Sequence, residues 1–192
     1  MSFRKCLGAA FMFAVAITPA QAAVTIAFYA HQLGSKGVWV EFPHAYVTLV
    51  GTPDAGGPPI KANYGFTPPV VGPSILFGRV DGAVVGADDA YVAKDRPYFS
   101  FALSDKQYSA VLAVVARWRN EPQPSYDLDT HNCVIFVKEI AAAAGLATSD
   151  DQSFVRDPAA FMADLKSRNT VLLARLSGRL AGASSAAAGA TQ

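Results

Sequence analysis

The spacing of apolar residues changes at residue 104, and this change limits the folds that the chain can adopt. Before it, four segments rich in β-branched and aromatic residues are typical of strands: 23–30, 44–50, 60–66 and 96–103. After it, apolar residues recur every three to four positions in three segments that predict helices: 104–120, 133–146 and 157–168. Strands followed by helices predict an α+β domain in which an antiparallel sheet packs against helices.

Residues that start and stop helices support these boundaries. Ser104 with Gln107 three positions later forms a capping-box pattern, and Pro158 falls in a first helical turn. Gly145 is placed to end the second helix. Asp81-Gly82 lies between two apolar stretches and predicts a β-hairpin.

The N-terminus predicts a secretory signal peptide over residues 1–22. Arg4 and Lys5 precede an apolar run over 6–17, and Ala20-Gln21-Ala22 is a small-x-small cleavage pattern. The run is too short to span a bilayer well, and no later segment is long and apolar enough to do so. We therefore expect a periplasmic or secreted protein with no integral membrane segment after cleavage.

Length and composition predict one folded domain over residues 23–175. A hydrophobic fraction of 52% in 192 residues is enough for a single core. The Ala-, Gly- and Ser-rich stretch over 176–192 lacks bulky side chains, so we expect a disordered tail. A net charge of +1 gives no electrostatic reason for nucleic-acid binding. We expect a monomer.

No motif in the sequence requires a cofactor. The mature chain has no CxxC or HxxxH spacing, so a metal site made from its histidines and its cysteine is a weak alternative. The glycine-rich stretch near residue 55 lacks the Lys-Ser/Thr pair and the helix that a phosphate loop needs.

A single cysteine remains once the signal peptide is removed. Of two cysteines, Cys6 falls within residues 1–22, which leaves Cys133 without an internal disulfide partner. Such a thiol is buried and inert, paired with another chain, or reactive. Cys133 lies at the start of a predicted helix that Thr130 or Asn132 could cap, where free N–H groups favour a thiolate or an oxyanion. This position favours a nucleophile.

A thiol nucleophile needs a base, and three histidines are available. His131 lies in the loop before the helix, with its ring expected in solvent, and His31 ends the first strand. His44 begins a strand and is the candidate whose imidazole would face the helix N-terminus. A half-buried histidine bonded to the backbone is the alternative for His44.

The base needs a residue that orients it, and Asn63 on the next strand is the candidate. Its side-chain oxygen could accept a hydrogen bond from the imidazole N–H. Asn63 could equally serve a strand end or a turn. Asp54, Glu41 and Asp127 are weaker alternatives.

The pair of motifs HAYV at 44–47 and NCVIFVKEI at 132–140 resembles the circularly permuted papain-like hydrolases. This branch is related to the NlpC-type cell-wall peptidases and includes the lecithin retinol acyltransferase-like proteins. Its histidine strand precedes the helix headed by Asn-Cys, which is the order found here. The resemblance implies a permuted papain-like core over about 42–145, with Cys133 as nucleophile and His44 as base. The third catalytic position varies in that branch, so Asn63 is assigned by placement.

Two functions follow as hypotheses. The first is an exported cysteine hydrolase or acyltransferase that forms an acyl-enzyme with an amide or ester, with a peptide, amide or lipid ester of the cell envelope as substrate. The second is a catalytically inactive secreted binding or structural domain with a papain-like shape. Replacing Cys133 by alanine distinguishes them, because only an enzyme loses its activity.

Overall fold

A computed structural model describes residues 23–31 and 43–176 of the chain. The predicted signal peptide, residues 32–42 and the tail from 177 lie outside the described residues. Seven strands are present: β1 Val24–His31, β2 His44–Gly51, β3 Ile60–Thr67, β4 Val80–Asp81, β5 Ala83–Val85, β6 Phe99–Leu103 and β7 Ser125–Tyr126. Four α-helices accompany them in the described part of the chain, α1 Asp89–Val92, α2 Asp105–Arg119, α3 Cys133–Ala143 and α4 Pro158–Arg168, and residues 170–176 are also helical. Short 3₁₀ turns occupy Pro73–Leu76 and Gln152–Phe154.

Five strands form one antiparallel sheet in the order β5-β3-β2-β1-β6. In the central pair, His31 lies opposite His44 and Thr25 opposite Val50. The pairing of β2 with β3 runs from Tyr46 opposite Gly65 to Gly51 opposite Ile60. An antiparallel sheet with helices confirms the predicted α+β class.

One face of the sheet carries the core. Because side chains alternate along a strand, every second residue of β1, β2 and β6 points to the same side. The buried residues on that side are Val24, Ile26, Phe28, Ala45, Val47, Leu49, Phe99, Phe101 and Leu103. The apolar stripes of α2, α3 and α4 cover them, with Phe136, Ile140, Met162 and Leu165 fully buried. His44, Tyr46 and Thr48 therefore lie on the opposite face of β2.

The predicted hairpin at Asp81-Gly82 is wrong. β4 pairs with β7 in a separate two-stranded sheet, whereas β5 pairs with the edge strand β3. Gly82 lies between the two sheets, where an added Cβ would stand 2.4 Å from the ring of Phe66. β4 and β5 therefore pair with β7 and β3, respectively, and not with each other. The short helix α1 and the 3₁₀ turn at Pro73–Leu76 were not expected from the sequence pattern.

The predicted starts and ends of the helices match the structure closely. The Ser104 hydroxyl accepts from the N–H of Gln107, and the Gln107 side chain accepts from the N–H of Ser104, which completes the capping box. The amide of Gln107 also donates to the carbonyl of Ala144 at 2.7 Å, which ties the start of α2 to the end of α3. Gly145 follows α3 with φ at 88°. Within residues 23–31 and 43–176, no helix combines the length and the hydrophobicity needed to cross a bilayer.

The capping box gives a stability prediction. Ser104→Ala removes the side chain that satisfies the first turn of α2, so we expect a loss of about 1 kcal/mol in the free energy of unfolding. Thermal unfolding followed by circular dichroism should show Tm lowered by roughly 2–4 °C. Ser109→Ala, at an exposed position inside the same helix, is the control and should not lower Tm. Equal melting of the two variants would contradict a stabilising role for the cap.

Candidate active site

The side chain of Asn132 fixes the start of α3. Its Oδ1 accepts from the N–H groups of Val134 and Ile135 at 2.9 and 3.0 Å. Its Nδ2 donates to the carbonyls of Leu128 and Val155 at 2.6 and 2.8 Å. Of the two predicted caps, Asn132 is therefore the one used. Since Asn132 is 2% exposed and fully hydrogen-bonded, it holds the next residue, Cys133, in one place.

The sulfur of Cys133 is buried among hydrogen-bond donors. The residue is 2% exposed, and the Tyr126 hydroxyl donates to Sγ at 3.8 Å. The backbone N–H groups of Ala45, on β2, and of Val134 and Cys133 itself also favour the thiolate form of the sulfur. Burial raises the pKa of the Cys133 thiol, and the donors only partly oppose this effect. The thiol is therefore neutral near pH 7, whereas the position at a helix N-terminus alone favoured a thiolate.

His44 is the first residue of β2, and its ring lies over β3. A Cβ added to Gly65 would stand 2.4 Å from Nε2 of His44, so glycine leaves the space that the imidazole fills. The ring also stacks on Tyr46, with centroids 6.0 Å apart. Burial and, to a smaller extent, the nearby His31 lower the pKa of His44 to about 4, against an opposing effect of Asp95. The imidazole is thus neutral near pH 7.

Cys133 and His44 line the same cavity of about 500 Å³. His44, Asn63 and Gly65 come from the face of the sheet away from the core, whereas Cys133 comes from the helical side. The direct approach of the His44 ring to the start of α3 stays a prediction. Cys133 and His44 both line the cavity near the end of the β2–β3 ladder. No hydrogen bond joins their side chains among the described residues.

The side chain of Asn63 does not bond His44. Its Oδ1 accepts from the N–H of Ala87 at 2.6 Å, and its Nδ2 donates to the carbonyl of Ala87 at 2.9 Å. Asn63 thus fixes the segment after β5 on the edge of the cavity. Of the weaker alternatives, Asp127 accepts from Thr130, Asp54 donates its N–H to Asp105, and Glu41 lies outside the described residues.

A carboxylate that sequence reasoning missed lies beside His44. Asp95 follows α1, and its Oδ1 is 3.0 Å from Nδ1 of His31. Its Oδ2 accepts from the hydroxyl of Tyr46 at 2.9 Å. His31 is opposite His44 across the β1–β2 ladder, and Tyr46 stacks on His44. The sequence separates Asp95 from His31 by 64 residues, so no local spacing could reveal this cluster.

The sequence predicts a solvent-facing ring for His131, but the structure packs this ring against Trp118. Its ring stacks on Trp118 with centroids 4.2 Å apart and an interplanar angle of 3°. Nδ1 contacts the carbonyl of Ser125 at 2.6 Å, and Nε2 lies 3.4 Å from Glu121. These contacts give His131 a structural place between α2 and the loop before α3.

Comparison with known proteins gives no match to a family model, a curated protein or a solved structure. The resemblance to the permuted papain-like hydrolases therefore rests on the HAYV and Asn132-Cys133 motifs alone.

Burial of the thiol gives a prediction about its reactivity. Because only a thiolate reacts with iodoacetamide, the pH at which alkylation of Cys133 reaches half its maximal rate reports the pKa of the thiol. We expect this midpoint to lie higher in the native protein than in the same protein unfolded in urea. Mass spectrometry after timed quenching measures both rates. A native midpoint below the unfolded one would mean that the helix N-terminus outweighs burial.

The space above Gly65 gives a prediction about His44. Gly65→Ala places a methyl group where Nε2 lies, so the ring must leave its buried position. We expect the pKa of His44 to rise from about 4 toward its ordinary value, as measured by NMR titration of the ring protons. Gly72→Ala is the control, because nothing lies within 4 Å of a Cβ added there. An unchanged His44 titration in Gly65→Ala would contradict this placement of the ring.

Proposed function

We propose that the protein is an exported cysteine hydrolase or acyltransferase in which Cys133 is the nucleophile and His44 the base. One observation carries the proposal: the side chains of Cys133 and His44 line one cavity, at the capped start of α3. A purely structural cysteine would not be expected to share a cavity with a histidine at the capped start of a helix. The resemblance to permuted papain-like hydrolases supports the same roles, and the predicted signal peptide supports export.

The protonation of the two groups favours general-base catalysis over a resting ion pair. Burial keeps the thiol protonated and the imidazole neutral at pH 7. As the sulfur–carbon bond forms with the substrate carbonyl, the thiol proton passes to His44. The imidazolium then gives this proton to the leaving group as its bond to the acyl carbon breaks. Water or an amine attacks the thioester, loses a proton to His44, and the thiolate leaves and recovers that proton.

Backbone amides near the sulfur supply the donors for an oxyanion. Asn132 already occupies the N–H groups of Val134 and Ile135. The amides of Ala45, Val134 and Cys133 itself favour negative charge on the sulfur, and those of Ala45 and Cys133 are not already used by Asn132, so we assign them to the oxyanion. The hydroxyl of Tyr126 adds a third donor on the same side.

The walls of the cavity favour a substrate with an apolar group beside the scissile bond. Apolar side chains form much of the lining: Val71, Ile75, Val85, Leu128 and Val155. The cation among the lining residues, Arg156, makes two hydrogen bonds to Asp129 and is not directed to a ligand. A highly charged envelope peptide would find few partners here. We therefore favour an ester or amide with a short hydrocarbon acyl group.

The test is acylation by p-nitrophenyl butyrate. Intact-mass spectrometry should find a butyryl adduct on Cys133, and kcat/KM should rise with a midpoint near pH 4 and stay level to about pH 8. The sign follows from His44, because the base works only when deprotonated and its pKa is about 4. His44→Gln should lower kcat/KM by about 10²-fold or more, and Cys133→Ala should abolish the adduct.

The contrary outcomes separate the two hypotheses. An adduct on another residue, or full turnover in Cys133→Ala, would exclude Cys133 as the nucleophile. A protein that never acylates yet binds butyrate esters equally well in wild type and Cys133→Ala would be a binding domain. Circular dichroism of both variants verifies that each remains folded.

A further inference from the structure

Proton transfer to His44 would create a buried positive charge that the direct hydrogen bonds of its ring do not neutralise. When His44 takes the thiol proton it becomes a cation in a site where burial lowers its pKa. No hydrogen bond to a carboxylate is present on its ring among the described residues. The titratable and charged groups around it or along the cavity are His31, Tyr46, Tyr91, Asp95, Tyr126, Cys133 and Arg156. Of these, Asp95 is the carboxylate.

Asp95 is held in a fixed position by two side chains that flank His44. His31 on β1 contacts Oδ1, and Tyr46 on β2 donates to Oδ2, so both carboxylate oxygens are occupied. The side chain of Asp95 is 12% exposed and that of His31 is 18% exposed, so water screens this pair weakly. The hydrogen bond to Asp95 and burial both raise the pKa of the Tyr46 hydroxyl, which therefore stays a donor.

We propose that Asp95 is a positioning residue whose carboxylate, anchored by His31 and Tyr46, supplies the counter-charge for the imidazolium of His44. This inference rests on the proposed function for its catalytic consequence. Its electrostatic part rests on the two hydrogen bonds of Asp95 and on the placement of His31 and Tyr46 beside His44. The attraction of Asp95 favours the protonated form of His44, whereas His31 opposes it. Asp95 thus opposes part of the lowering of the His44 pKa that burial and the neighbouring histidine cause.

The principal test removes the charge and keeps the shape of residue 95. In Asp95→Asn we expect kcat/KM for p-nitrophenyl butyrate at pH 7 to fall about tenfold, with KM nearly unchanged. In Tyr46→Phe, which removes the hydrogen bond from Tyr46 to Asp95, kcat/KM should fall by less than in Asp95→Asn. Asp89→Asn is the matched control, because Asp89 lies on the adjacent helix α1 and pairs with Lys61 at the surface. It should remain within twofold of wild type.

A double-mutant cycle separates positioning from a merely structural role. In a His44→Gln background, Asp95→Asn should cause no further loss, because the charge that it serves is gone. A loss of the same size in both backgrounds would overturn the proposal, as would wild-type turnover in Asp95→Asn. Thermal unfolding of each variant measures any general destabilisation.

NMR titration decides the inference even if Cys133 proves not to be a nucleophile. We expect the His44 ring protons in Asp95→Asn to titrate at a lower pH than in wild type, and in Asp89→Asn at the wild-type pH. If wild type forms no acyl adduct but this shift is present, the proposed function fails and the pairing of Asp95 with His44 stands. If acylation occurs and the His44 titration is unchanged, the proposed function stands and the role of Asp95 is excluded.

Discussion

The amide of Asn132 is the interaction on which the arrangement of the site depends. It is almost wholly buried, and its four hydrogen bonds join the loop before α3, the first turn of α3 and the segment before α4. An alanine there would leave two N–H groups and two carbonyls without these partners, in a region with little access to water. These hydrogen bonds fix the backbone at Asn132 and therefore also fix the position of the next residue, Cys133.

That placement sets the electrostatic character of the pair. A solvent-exposed thiol at a helix N-terminus would be more acidic than usual, but desolvation dominates here because donors compensate only part of the cost of a buried anion. The same burial makes His44 a weak base. Both shifts favour neutral resting groups, so charge develops only during proton transfer. A catalyst of this kind gains most from preorganised partners, with amides for the sulfur and oxyanion and Asp95 for the imidazolium.

Much of the fold follows from local patterns, whereas the neighbours of the site do not. Ser104, Gly145 and Pro158 mark helix ends through contacts with residues a few positions away, and the structure has those ends. Alternation in β2 also assigns Ala45, Val47 and Leu49 to the core face correctly, although Tyr46 and Thr48 on the opposite face are buried as well.

Several failures involve contacts between segments that are far apart in the sequence. The Asp81-Gly82 turn chemistry was sound as a local signal, but Val80 pairs with Tyr126 and Ala83 with Thr67. The amide of Asn63 likewise meets the backbone 24 residues away instead of the imidazole. Asp95 reaches His31 across 64 residues through a short helix that no periodicity predicted. Long-range partners of this kind depend on the packed fold, and a single sequence carries no local trace of them.

The end of the β2–β3 ladder lies where His44, on the face of the sheet away from the core, and Cys133, on the helical side, line one cavity. The pairing of β2 with β3 stops at Tyr46 opposite Gly65, while β3 continues to Thr67 by pairing with β5. Pro68 and Pro69 then follow, and proline cannot donate to a ladder. Ala45, one residue beyond the end of this ladder, pairs with Ala30 of β1, and its N–H favours the thiolate of Cys133. Thr67 and Pro68, at the end of β3, line the same cavity as Cys133 and His44. The end of the β2–β3 ladder therefore adjoins both members of the proposed catalytic pair.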